Sequence, residues 1–77
     1  MKASQIRLAA EDRKLSVQEI MRIHLPVVMP LYLQRGTAGF KVTCARCNLI
    51  SVRFTRGDAN FDAIDHVQKV IRLWRAW

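Results

Sequence analysis

The chain has 77 residues, 51% apolar and 25% charged, and its 13 lysines and arginines against 6 aspartates and glutamates leave a net charge of +7. That balance excludes a disordered polyelectrolyte, and the apolar stretch at residues 25–33 is too short for a membrane span of about 20 residues. Two cysteines, with no N-terminal apolar run of secretory length, point to a reducing, cytoplasmic compartment. A single core in a chain this small supplies about 3 to 5 kcal/mol of net stability, so a structural metal is useful to it.

Residues 1–25 are expected to form a helical hairpin. Ile6, Ala9, Ala10 and Arg13 can share one face of a short helix that carries Arg7, Glu11 and Lys14 on the other. Ser16-Val17-Gln18-Glu19 fits a capping box, with Leu15 and Ile20 at the staple positions, which sets a second helix start near Val17. Ala10, then Leu15-Ser16 in the turn, then Ile20 and Ile23 in the second helix make residues 6–25 resemble the helix-turn-helix of bacterial and phage DNA-binding proteins. That resemblance implies that Gln18, Met21 and Arg22 face a DNA major groove. A generic αα-hairpin is the alternative.

Residues 26–39 are expected to be an apolar crossing segment and a loop. Pro26 and Pro30 deny the apolar part a regular helix, Met29 and Tyr32 are candidates for a partner contact, and Gly36 and Gly39 mark the loop, with Arg35 at its edge.

Residues 40–56 alternate apolar and polar on either side of Cys44-Ala45-Arg46-Cys47, the signature of a half-buried β-hairpin closed by the cysteine turn. Phe40, Val42 and Cys44 are expected to share the inner face with Ile50, Val52 and Phe54, leaving Lys41, Thr43, Ser51, Arg53 and Thr55 outside. Two thiolates two residues apart can both reach one Zn²⁺ at about 2.3 Å, and Asn48 suits the left-handed backbone such a turn needs. The motif is similar to a CxxC zinc knuckle. Buried core cysteines and a redox dithiol are the other readings, although a redox CxxC normally opens a helix.

A knuckle is half a site. His66 on the following helix is the expected third ligand, and either Asp62, one turn earlier, or His24, just before the apolar segment, is the fourth.

Residues 58–77 form the clearest helix. Asp58 or Asn60 can cap it, Asp62 and Asp65 complement the positive end of its dipole, and Lys69, Arg72 and Arg75 the negative end. Ile64, Val67, Val70, Ile71, Trp74 and Trp77 fall in one arc expected to pack on the hairpin, with Trp77 also a candidate partner anchor.

The fold class is therefore α+β: a small single domain with N-terminal helices, a central β-hairpin carrying the CxxC turn, and a C-terminal amphipathic helix. No catalytic constellation appears, so an enzyme is not expected. Between Glu19 and Asp58 the chain has Arg22, Arg35, Lys41, Arg46, Arg53 and Arg56 and no carboxylate, for which phosphates are the obvious counterpart. The expectation is a zinc-stapled module that binds nucleic acid, DNA or RNA, through Lys41, Arg46, Arg53, Arg56, Arg22 and Gln18, as a DNA-binding or transcription-related regulator. The alternative is a small regulator of phage or mobile-element type that binds a host protein such as RNA polymerase.

Overall fold

The computed structural model describes residues 6–33 and 36–76, so Arg35 and Trp77 lie outside the described residues. In order come a 3-10 helix at Ala10–Lys14, α1 at Val17–Ile23, strands β1 at Val27–Leu33, β2 at Gly36–Cys44 and β3 at Asn48–Arg53, and α2 at Arg56–Ala76. The strands form one antiparallel sheet in the order β1-β2-β3. The architecture is the expected small α+β domain, with a third strand added. Among the described residues no helix is long and apolar enough to cross a membrane.

The N-terminal pair is less helical than expected. Residues 6–9 are irregular, and the first helix is a single 3-10 element whose Asp12 reaches back to accept the Ala9 amide at 2.9 Å. The second helix starts where the capping box places it. Ser16 Oγ accepts the Glu19 amide at 3.2 Å, Glu19 Oε1 accepts the Ser16 amide at 3.3 Å, and the staple residue Ile20 is fully buried.

The apolar crossing segment is in fact strand β1, and β2 begins inside the expected loop, at Gly36. Pro30 is admitted because β1 is an edge strand, where a missing N–H can face away from the ladder. Val28 and Pro30 pair with Val42 and Phe40, and Val28 packs on the core with Val42, Cys44, Cys47, Ile50 and Ala59.

A β-bulge reassigns the faces of β3. Val42 pairs with Ser51 but Thr43 pairs with Leu49, so Ile50 is an extra residue on that strand. Ile50 and Ser51 both point toward α2: Ile50 joins the buried core, while Ser51 hydrogen-bonds Asp62. Beyond the bulge the alternation is inverted. Val52 and Phe54, expected inside, are exposed, and Arg53, expected outside, reaches Asp62.

α2 covers one face of the sheet. Its cap is the residue before the helix, Thr55, whose Oγ1 accepts the Asp58 amide at 3.2 Å, in place of Asp58 or Asn60. Its buried stripe runs through Ala59, Ala63, His66 and Val70, a rotation from the expected arc that leaves Ile64 exposed. Packing of this stripe, rather than of the largest apolar side chains, brings His66 inward.

Candidate metal centre

Four segments of chain converge at one end of the sheet. β2 ends at Cys44, and the turn that follows carries Cys47 back over the strand ends. Asn48 closes that turn with φ 66°, a left-handed conformation that a short polar side chain tolerates better than a branched one. His24 is the C-cap of α1, where its amide donates to the Ile20 carbonyl at 3.1 Å. His66 comes from the middle of α2.

All four side chains are buried, and one ligand atom from each lies within 4.8 Å of the others. His24 Nδ1 is 3.5 Å from Cys47 Sγ and 3.8 Å from Cys44 Sγ. Tetrahedral zinc, with bonds of about 2.3 Å to sulfur and about 2.05 Å to nitrogen, sets N···S edges of about 3.6 Å. The observed separations bracket that edge. His66 Nε2 is buried without a hydrogen-bond partner, and both cysteines are free thiols rather than a disulfide. This cluster can hold a metal ion.

The electrostatics suit ligation by neutral imidazole. Burial pushes the pKa of His24 below its ordinary value; nearby Asp12 opposes this and Arg46 adds to it. Burial also lowers that of His66, reinforced by His24. The Cys47 thiol is pushed up by burial and by the adjacent Cys44, against the backbone N–H of Arg7, which donates to its sulfur at 3.4 Å. A bound cation would reverse that upward shift by stabilising the thiolate.

Of the two expected candidates for a fourth ligand, His24 lies in the cluster and Asp62 lies outside it. Asp62 accepts the Ser51 hydroxyl at 2.7 Å and lies 3.3 Å from Arg53 Nε, so a hydrogen bond and an ion pair hold it on the flank of the sheet. The proximity of Asp62 to His66 along one helix face did not anticipate these competing partners.

The expected nucleic-acid contacts are spread over the surface. Lys41 is exposed on the uncovered sheet face, opposite Val52, whereas Arg53 lies on the α2 side. Arg46 lies in the cysteine turn 3.4 Å from Asp12, Arg56 sits over the Phe40 ring at 4.9 Å, and Arg22 and Gln18 are exposed on α1.

One residue of this region carries no sequence signal at all. Asp12 is fully buried beside His24, with its carboxyl 3.9 Å from His24 Nε2 and its backbone carbonyl accepting the Trp74 indole N–H at 2.8 Å. A charged residue in a short polar helix ordinarily faces water, and only the tertiary arrangement reveals otherwise. No protein-family model, curated protein or solved structure matches this chain.

Proposed function

We propose that the chain is a small nucleic-acid-binding module whose fold is closed by one structural zinc ion on His24, Cys44, Cys47 and His66. The buried cluster of two thiols and two imidazoles carries this reading. Thiolate and imidazole together suit Zn²⁺, and four protein ligands leave no open position for water or substrate, the mark of a structural rather than a catalytic site. The ligands join α1, the hairpin and α2, so the ion would tie together elements that otherwise share a small core.

Elemental analysis of purified protein tests the metal. The expected result is one zinc per chain, with loss of the circular-dichroism signal on chelation and recovery on adding zinc. A metal-free chain with an unchanged spectrum in chelator overturns it.

Nucleic acid as the partner is supported by the net charge and by the carboxylate-free stretch that supplies Arg22, Lys41, Arg46 and Arg56. Binding to labelled duplex and single-stranded oligonucleotides should weaken by about one log unit per log of salt for each phosphate neutralised. Binding that ignores salt overturns this part alone.

A protein partner is the second reading, and the uncovered face of the sheet favours it. Val27, Met29, Leu49 and Val52 are exposed there around Lys41, and Tyr32 is exposed near the end of β1. A single protein retained in a pull-down, with no nucleic acid co-purifying, would support that reading over the first.

A further inference from the structure

Asp12 and His24 are both 0% exposed, and each has a buried polar atom that makes no hydrogen bond: Oδ1 of Asp12, which has only the Arg46 guanidinium at 3.4 Å, and Nε2 of His24. The Nε2 faces Asp12 Oδ2 at 3.9 Å, while Nδ1 of the same ring faces the two sulfurs. An imidazole that gives Nδ1 to a metal must carry its proton on Nε2, and a buried N–H directed at a carboxyl group calls for an acceptor.

We propose that Asp12 is the positioning residue of the metal centre: it accepts the Nε2–H of His24 and so orients Nδ1 toward the ion. This rests on the reading of the cluster as a metal site. Binding at Nδ1 selects the tautomer that donates to Asp12 and draws the two groups into hydrogen-bond contact.

The surroundings of Asp12 extend that role to the whole N-terminal segment. Its Oδ2 holds the Ala9 amide, its carbonyl holds Trp74 of α2, and Arg46 of the cysteine turn lies 3.4 Å from Oδ1. Five residues earlier, the Arg7 amide donates to Cys47 Sγ. Residues 7–12 thus form a strap over the site, touching one ligand through a sulfur and another through a carboxyl group.

The test is Co²⁺ binding by the full chain, followed by its sulfur-to-cobalt charge-transfer and ligand-field bands, with affinity measured by chelator competition for wild type, D12A, D12N and E11A. D12A is expected to weaken binding by about 10- to 100-fold and to shift the ligand-field bands, because the imidazole is no longer held. D12N keeps an oxygen acceptor and should recover part of the loss, and it carries the comparison if D12A fails to fold. E11A, which removes an exposed carboxylate from the same short helix, should retain the wild-type affinity and spectrum. D12A indistinguishable from wild type, or E11A as weak as D12A, overturns the role of Asp12 while leaving the metal centre intact. A wild-type chain that gives no charge-transfer band instead refutes the metal centre itself, and the Asp12 proposal with it.

Discussion

Ser51 donates its hydroxyl to Asp62 across 2.7 Å, and that bond joins β3 to α2 one helical turn before His66. It exists because the bulge at Ile50 turns two consecutive side chains to the same side of the sheet. Asp62 is thereby committed to a polar clasp. D62N should therefore leave zinc stoichiometry unchanged and lower the melting temperature modestly, whereas C44A, C47A, H24A and H66A should each lose stoichiometric zinc. Zinc analysis of the five purified variants checks this; loss of metal from D62N would move the fourth ligand back to the aspartate.

Gly39 of β2 lies against the backbone of Arg53 and Phe54. A Cβ placed there would lie 2.8 Å from the Arg53 carbonyl oxygen, and because the obstacle is backbone rather than a flexible side chain there is little room to yield. G39A should cost about 1 to 3 kcal/mol, as overpacking does. At Gly57, in the first turn of α2, an added Cβ meets nothing within 4 Å. G57A should be neutral or stabilise by up to about 1 kcal/mol. Denaturant midpoints of the two alanine variants provide the comparison, and equal effects would contradict the packing of β2 against β3.

The capping box controls more than a helix end. α1 has only seven residues, and its C-cap is His24, so fraying from Ser16 propagates to a side chain of the cluster. S16A is expected to cost about 1 kcal/mol of stability and to weaken metal binding in parallel. A thermal melt and a zinc competition titration on the same sample would show whether the two losses move together.

Acid should destabilise the fold through the histidines. Burial holds His24 and His66 below the ordinary value of 6.5, so the unfolded chain takes up protons that the folded chain refuses. Their contribution is fully present above that value and is lost as pH falls below it, at up to about 1.4 kcal/mol per pH unit for each histidine. Proton competition with metal for the thiolates acts in the same direction. Urea midpoints should drop between about pH 7.5 and about pH 5.5, and a flat profile would mean that both imidazoles are solvated.

Much of this arrangement is legible in the chain because it is written locally. Ser16 and Glu19 announce α1, the cysteine spacing and Asn48 announce the turn, and the charges of α2 run with its dipole. The misplaced features depend on partners distant in sequence. β1 is obscured because Pro26 and Pro30 argue only against a helix there, and Pro30 fits a strand only once its edge position is known. The bulge at Ile50 follows from how β3 registers on β2, and strict alternation cannot encode it. The presence of His24 rather than Asp62 in the buried cluster, and the burial of Asp12, depend on where α1 and the first helix dock.

Pro30 has a last consequence, for how molecules of this protein meet. β1 lines up on β2 along one side and, among the described residues, has no strand along the other. An open edge of that kind templates sheet growth from one molecule to the next, and a proline at its centre deprives an incoming strand of a hydrogen-bond donor. The apolar side chains of the open face can therefore serve recognition from above the sheet, while polymerisation along its margin is discouraged by one imino acid.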